Sequence, residues 1–218
     1  MIKYLNYIEQ EIHKSTNKSK NAQAIKQINL YKKYWNYYKN DLTRNPLNNH
    51  SLDLFDKHKF NFHTNEQIEI CWNVDGLYLY AADNLAVKHL GIQQFEMMVY
   101  DDLLTSFDEL LFISEKVQVL HEHQYVPLLI MKFKPMNQYL ILDGRHRYIE
   151  YKKFKSDEKI PVYIVDDTDC INYILHKNEL VAYTIVHNIK ILNDYLFSNG
   201  SINELIDIKK LFHMSISE

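Results

Sequence analysis

The run Tyr139-Leu140-Ile141-Leu142-Asp143-Gly144-Arg145-His146-Arg147 constrains the fold more than any other part of the chain. It opens with four hydrophobic residues and then reaches the only glycine between Gly91 and Gly200. Glycine readily adopts the backbone conformations of tight turns, so the chain is expected to turn at Gly144. The residues as far as Phe154 suit a helix. The run therefore predicts a short buried strand, a turn and a helix.

A helix that begins directly after a strand directs backbone N–H groups toward one spot. Together with the positive end of the helix dipole, these groups form a place for an anion. Arg145, His146 and Arg147 fall in the first turn, where positive charge opposes the dipole unless a phosphate is present. The run therefore predicts a phosphate-binding turn. The alternatives are that Arg145 and Arg147 pair with nearby carboxylates, and that Asp143 only caps the helix.

The rest of the chain combines helical and strand patterns and predicts an α+β fold. Helices are predicted at residues 2–12, 22–42, 83–90, 106–124, 144–154, 169–176, 178–197 and 202–213. Strands are predicted at residues 67–72, 77–80, 95–100, 128–133, 139–142 and 160–165. A tight turn at residues 73–76 is expected to join the first two strands as a hairpin. Residues 44–66 are expected to form a loop.

The second predicted helix places large apolar residues at helical spacing with lysines around them, namely Ile28, Tyr31, Trp35, Tyr38 and Leu42. Such a stripe is typical of a buried core face. Interleaved lysines and aromatic rings can also stack bases and hold phosphates, which is the alternative. Residues 1–60 carry eleven Lys or Arg against five Asp or Glu, whereas the remainder carries fourteen against twenty-three. This basic arm could bind a polyanion or dock on the acidic body.

Three segments are predicted along the chain. They are a basic, Tyr-rich helical N-terminal extension (1–60), an α+β domain (61–167) and C-terminal helices that pack on the domain (168–218). Cys71 and Cys170 match no metal or redox spacing and are expected to be buried thiols. No stretch approaches the length of a membrane span, and the start lacks the pattern of a secretion signal. A cytoplasmic protein without a membrane partner is therefore predicted.

Residues 95–167 resemble the ParB/sulfiredoxin fold. The resemblance is carried by a predicted helix, by Tyr125-Val126-Pro127 entering a strand, by the run from Tyr139 to Arg147, and by the returning strand Ile160 to Val165. It implies a small mixed sheet flanked by helices, with helical N- and C-terminal extensions outside it. It also implies that the loop from Asp143 to Arg147 binds nucleotide phosphates through backbone amides and the His-Arg pair.

The residues of this loop distinguish the classes of protein that share the fold. Sulfiredoxins place a catalytic cysteine between the glycine and the histidine, where this chain has Arg145. Chromosome-partition ParB proteins carry a Gly-Glu-Arg-Arg-type loop and a following DNA-reading helix, and residues 169–213 show no such helix. The free-serine kinases of the fold carry an Asp-Gly-His-His-Arg-type loop. This chain resembles the kinase version most, with a difference at Arg145.

The resemblance implies a protein that binds ATP, ADP or CTP with Mg²⁺. It would hydrolyse the nucleotide or transfer a phosphoryl group to a small hydroxyl-bearing acceptor. The residues implied to bind the phosphates are Gly144, Arg145, His146 and Arg147. Asp143 is the implied ligand of Mg²⁺ or of the acceptor hydroxyl, and His146 would donate a hydrogen bond or assist proton transfer. Asp102 is the candidate general base, with Asp101 and Glu122 as the other candidates.

Two further functions stay open from the sequence. One is a nucleic-acid-binding or nuclease-like protein in which residues 1–60 grip the phosphate backbone. The other is a nucleotide-sensing interaction module without turnover. A homodimer formed through the Tyr-rich helices stays open as well.

Overall fold

The computed structural model describes residues 1–48, 55–62, 64–99, 126–134, 137–154, 157–198 and 200–211. Its helices are α1 (Ile2–Lys14), α2 (Lys18–Tyr38), α3 (Val74–Asn84), α4 (Ile92–Met98), α5 (Arg145–Phe154), α6 (Asp167–Cys170), α7 (Lys177–Phe197) and α8 (Ile208–Leu211). Its strands are β1 (Phe55–Asn61), β2 (Gln67–Asn73), β3 (Lys88–Leu90), β4 (Leu128–Phe133), β5 (Gln138–Asp143) and β6 (Ile160–Asp166). The predicted α+β class is confirmed. Within the described ranges, no helix combines the length and the apolar composition that crossing a bilayer requires.

The chain divides into two compact units. One consists of Met1–Asn73 together with Ile171–Glu218, and the other of Val74–Cys170. The first unit joins the two terminal segments and includes β1 and β2, so residues 61–73 group with the termini rather than with the central domain. Cys71 and Cys170 are buried and form no disulfide, as predicted.

The first unit is built around α2, which packs against α1 and α7. The predicted core face is confirmed for Ile28, Tyr31 and Tyr38, which are all buried. The prediction is wrong for Leu42, which is 67% exposed because the helix ends four residues earlier. The helix predicted at 178–197 is confirmed as α7, and its stripe of residues at helical spacing is buried, namely Leu180, Val181, Thr184, Ile185, Ile189, Leu192 and Leu196.

Two lysines of the basic N-terminal segment bind to groups within the first unit. Lys32 Nζ lies 2.7 Å from Glu9 Oε2, and Lys20 Nζ donates a hydrogen bond of 2.6 Å to the carbonyl oxygen of Tyr195. These contacts hold α2 against α1 and α7. The docking role predicted for the basic arm therefore applies to Lys20, whereas Lys32 binds a residue of the arm itself.

The second unit contains a four-stranded mixed sheet in the order β3-β6-β4-β5. β4 pairs antiparallel with β5 and parallel with β6, while β3 pairs antiparallel with β6. The strands predicted at residues 128–133, 139–142 and 160–165 and the helix at 144–154 are confirmed. The parallel pair β4 and β6 needs a crossover connection, and β5 and α5 both lie in it.

A single apolar cluster positions α5 on this sheet. Leu128, Ile130 and Ile141 of the sheet are fully buried together with Tyr148 and Ile149 of α5. Phe95 of α4 belongs to the same cluster, where its ring stacks on Tyr148 with the centroids 4.9 Å apart. The start of α5 is therefore fixed to the end of β5 by packing on both sides of the turn.

The predicted hairpin at residues 67–80 is wrong. β2 does end at Asn73, but its partner is β1, and the chain continues from Asn73 directly into α3. Val74, Leu77 and Ala81 are buried at a spacing of three and four residues, which is the period of a helix. The predicted loop at 44–66 is wrong for β1, whose sequence has no apolar run.

The predicted structure at residues 83–100 is also wrong. The segment expected to be a helix up to Leu90 contains β3, and the segment expected to be a strand from Phe95 forms α4. Gly91, which directly follows that predicted helix, instead precedes the first turn of α4. The three residues of β3 are too few to show an alternating pattern.

Other predicted elements are shorter or lie outside the described residues. The helix predicted at 169–176 is reduced to α6 and a 3-10 turn at Ile171–Tyr173. The last helix is divided into a 3-10 turn at Ile202–Glu204 and α8. The helix predicted at 106–124 lies outside the described residues.

Glu96 on α4 joins this helix to α5. Its Oε1 accepts hydrogen bonds of 2.6 Å from both Lys152 Nζ and Tyr148 Oη. The bond from Lys152, followed by that from Tyr148, lowers the pKa of the Glu96 carboxyl below its ordinary value. A lowered folded-state pKa contributes stability that is complete above the unfolded pKa and is lost as the pH falls through the folded pKa.

We therefore expect the wild type to lose more stability than Glu96→Gln between about pH 6 and about pH 3. The difference should stay below about 1 kcal/mol, because the Glu96 side chain is 38% exposed. Urea unfolding at the two pH values measures it. Glu150→Gln, at an exposed position of α5, is the control. An identical pH dependence of the wild type and Glu96→Gln would show that this carboxylate does not stabilise the fold.

Candidate functional site

Gly144 forms the junction between β5 and α5. β5 ends at Asp143, Gly144 has a φ angle of +103°, and α5 begins at Arg145. The first helical hydrogen bond runs from the Tyr148 amide to the Gly144 carbonyl over 2.9 Å. The predicted succession of strand, turn and helix is confirmed. The amides of the first turn precede this bond, so they point out of the positive end of α5.

Arg147 folds back over the glycine. Its Nη2 atom donates hydrogen bonds to Asp143 Oδ2 over 2.5 Å and to Tyr78 Oη over 2.7 Å. Its Nη1 atom donates to the carbonyl oxygen of Val126 over 3.0 Å. Arg147 is thus bound by acceptors of the protein itself, as in the alternative in which it pairs with a nearby carboxylate.

Tyr78 is a member of this site that the sequence did not reveal. Its hydroxyl oxygen lies 2.8 Å from Asp143 Oδ2 and 2.9 Å from the carbonyl oxygen of Pro127. Burial, followed by the neighbouring Asp143 carboxylate, raises the pKa of Tyr78, so the hydroxyl keeps its proton at neutral pH. A signal for Tyr78 was present in the helical spacing of Val74, Leu77 and Ala81, which places this tyrosine on a helix.

Asp143 directs its carboxylate toward Arg147 and Tyr78. One of its oxygens, Oδ2, takes both contacts, and the side chain is 36% exposed. A guanidinium beside this carboxylate repels a divalent cation. The described part of the chain also contains no group of three or more His, Cys, Asp or Glu side chains placed to hold a metal ion. Because Arg147 and Tyr78 already bind its carboxylate, Asp143 does not fit the predicted role of a Mg²⁺ ligand.

The other two loop side chains differ in their surroundings. Arg145 Nη2 donates a hydrogen bond of 2.8 Å to the carbonyl oxygen of Ile141, and the side chain is half-buried. His146 is half-buried as well and forms no hydrogen bond with a described residue. The structure brings Asp143, Gly144, Arg145, His146 and Arg147 together at one helix start.

The predicted general base, Asp102, and the two other candidates, Asp101 and Glu122, lie outside the described residues. The side chains that the structure does collect are one carboxylate, two guanidiniums, an imidazole and a phenol. This set suits the binding of a negatively charged group at the helix start rather than the binding of a metal ion.

Comparisons with known proteins assign the chain to no family. No protein-family model, curated protein or solved structure matches the chain.

Proposed function

We propose that the turn from Asp143 to Arg147 binds the phosphates of a nucleotide. In this proposal the protein hydrolyses a nucleoside triphosphate or transfers a phosphoryl group to a small hydroxyl-bearing acceptor, like the free-serine kinases of the ParB/sulfiredoxin fold. The observation that carries the proposal is the positive φ angle of Gly144 directly before the first turn of α5. A glycine adopts this φ angle without strain, so α5 can begin directly after β5, and the amides of its first turn then point toward one spot, where phosphate oxygens can bind.

The order of β4, β5, α5 and β6 supports the fold part of the proposal. It is the order that the resemblance predicts for residues 127–165. The mixed pairing, with β4 antiparallel to β5 and parallel to β6, is in agreement with a small mixed sheet. The free thiol of Cys170 and the nucleotide substrate are both in accord with a cytoplasmic location, which we include in the proposal.

The side chains of the turn have different roles in this proposal. Arg147 keeps its bonds to Asp143 and Tyr78 and holds the turn in shape, because a bidentate phosphate clamp by Arg147 would break both. Arg145 and His146, on the first turn, then meet the phosphate oxygens as hydrogen-bond donors. Any Mg²⁺ enters with the nucleotide phosphates and not through Asp143.

The proposal is tested by nucleotide binding measured through thermal stability and calorimetry. ATP, ADP or CTP at a hundredfold excess over its dissociation constant should stabilise the wild type by about 2.7 kcal/mol. His146→Ala and Arg145→Ala should each weaken binding about tenfold, since each removes one charge-assisted or polar contact. Lys153→Ala, exposed near the other end of α5, is the control and should bind as the wild type does. Equal binding by all variants would place the nucleotide elsewhere.

Turnover separates the three functions that the sequence leaves open. A phosphotransferase should release nucleoside diphosphate faster when its hydroxyl-bearing acceptor is added. A sensing module should be stabilised by nucleotide without consuming it. A nucleic-acid-binding protein should instead bind an oligonucleotide with an affinity that falls steeply with salt.

A further inference from the structure

A groove runs along the outward face of α2 in the first unit. It has a volume of about 730 Å³, and its lining includes Lys26, Leu30, Lys33, Tyr34 and Tyr37. Lys26, Leu30, Lys33 and Tyr37 follow one another at steps of four, three and four residues, so they form one helical stripe. The core residues of α2, such as Ile28 and Tyr31, lie on another face. Apart from the buried Tyr34, the lining residues named above therefore lie outside this core.

The charged residues that line the groove are all lysines in the described part of the chain. Lys26 and Lys33 are exposed lining residues, and neither has a carboxylate within ion-pair distance among the residues described. Lys32, one position before Lys33, is bound to Glu9 instead. Lys209 of α8 is a third lysine in the lining, and no described lining residue is acidic. The groove therefore favours an anion.

Tyr34 adds a polar group inside this apolar surface. The residue is only 2% exposed, and its hydroxyl has no hydrogen-bond partner in the described ranges. Burial, followed by the carboxylate of Asp207, raises the pKa of Tyr34, so the hydroxyl keeps its proton. A buried hydroxyl without a partner is costly, and a ligand atom that accepts its hydrogen would remove that cost.

We propose that this groove binds a small organic anion with an apolar body, in which a carboxylate, sulfonate or phosphate meets Lys26 and Lys33. The apolar body lies on Leu30 and on the exposed ring of Tyr37. The anionic head, or an oxygen beside it, accepts the hydrogen bond of the Tyr34 hydroxyl. This site lies in the first unit and is independent of the nucleotide-binding turn in the second unit.

The dimensions favour a small molecule over a polymer. A volume of about 730 Å³ lies in the range of small-molecule pockets. Lys26 and Lys33 are seven residues apart, so their Cα atoms are separated by about 10 Å along the helix. A single-stranded nucleic acid needs a longer basic track. Lys20 and Lys32 of the same helix are instead bound to protein groups.

The test uses two fluorescent probes with similar aromatic bodies, anionic 8-anilinonaphthalene-1-sulfonate and neutral N-phenyl-1-naphthylamine. The full chain should bind the anionic probe at a single site. The double variant Lys26→Gln with Lys33→Gln should weaken that binding about tenfold, while Tyr34→Phe should weaken it about threefold. Lys39→Gln, an exposed lysine just after α2 that does not line the groove, should leave it unchanged. Binding of the neutral probe should be the same in the double variant as in the wild type.

Three results would overturn the proposal. The first is equal binding of the anionic probe by the wild type, the double variant and Tyr34→Phe. The second is a loss of probe binding in Lys39→Gln as large as that in the double variant. The third is displacement of the probe by a thymidine 15-mer at a lower concentration than by dodecanoate, a small anion with an apolar body. The last result would assign the groove to a nucleic acid. Thermal unfolding of each variant by circular dichroism shows that the folded chain is compared throughout.

Discussion

Gly144→Ala should lower the free energy of unfolding of the second unit by about 2–4 kcal/mol. An alanine at this position would have to adopt a φ angle near +103°, which is strained for a residue with a side chain. Its Cβ would also lie 2.7 Å from Cγ of Leu128, a fully buried residue of β4, and 3.0 Å from Arg147 Nη2. The neighbours on both sides are held by packing and hydrogen bonds, so relief requires the turn to move.

Gly91→Ala is the matched control for this substitution. Gly91 lies in the same unit, at the start of α4, and a Cβ built there meets no atom within 4 Å. We expect this variant to lose less than about 1 kcal/mol, the usual range for a changed helix cap. Urea unfolding combined with hydrogen exchange of β4 and β5 measures both variants. Equal stabilities of Gly144→Ala and Gly91→Ala would contradict the observed conformation of the turn.

Tyr78→Phe and Asp143→Asn should each destabilise the second unit by about 1–3 kcal/mol. Tyr78→Phe keeps the ring, whose centroid lies 6.0 Å from Arg147 Cζ, and removes only the hydroxyl that bonds Arg147 and Asp143. Asp143→Asn keeps the shape but leaves the guanidinium of Arg147, only 16% exposed, beside a neutral group. Arg147 would then be a partly buried charge without its counter-ion.

Because the two substitutions act on one network, their effects should not add. The double variant should be less destabilised than the sum of the single variants, by about 1 kcal/mol. Tyr163→Phe, at a half-buried tyrosine of β6, is the control and should change stability by less than about 0.5 kcal/mol. Strictly additive effects in urea unfolding would show that Tyr78 and Asp143 do not interact.

The turn itself could be predicted from the sequence because local rules determine it. A hydrophobic run, a lone glycine and a helix-forming segment are adjacent in the chain, and each restricts the backbone where it stands. The pairing of Arg147 with Asp143 also had a local signal, since a carboxylate and a guanidinium lie on either side of the same turn. The helical reading of α7 followed in the same way from a stripe repeated over several turns.

The parts that could not be predicted depend on distant partners. Tyr78 reaches Asp143 across 65 positions of sequence, and no local pattern specifies that contact. β1 forms a strand because it pairs with β2 along its whole length, although the segment from Phe55 to Asn61 has only two apolar residues and no apolar run. In the short β3, pairing with β6 overrides the helical pattern of residues 83–90.

The most direct test of the phosphate-binding turn is a nucleotide titration followed by the backbone amide resonances of isotopically labelled protein. ATP should produce its largest chemical-shift changes at the amides of Arg145, His146 and Arg147, and inorganic phosphate should shift the same amides in the same direction at higher concentration. Unchanged resonances at these three amides, with shifts confined to the first unit, would contradict the proposal that this helix start binds nucleotide phosphates.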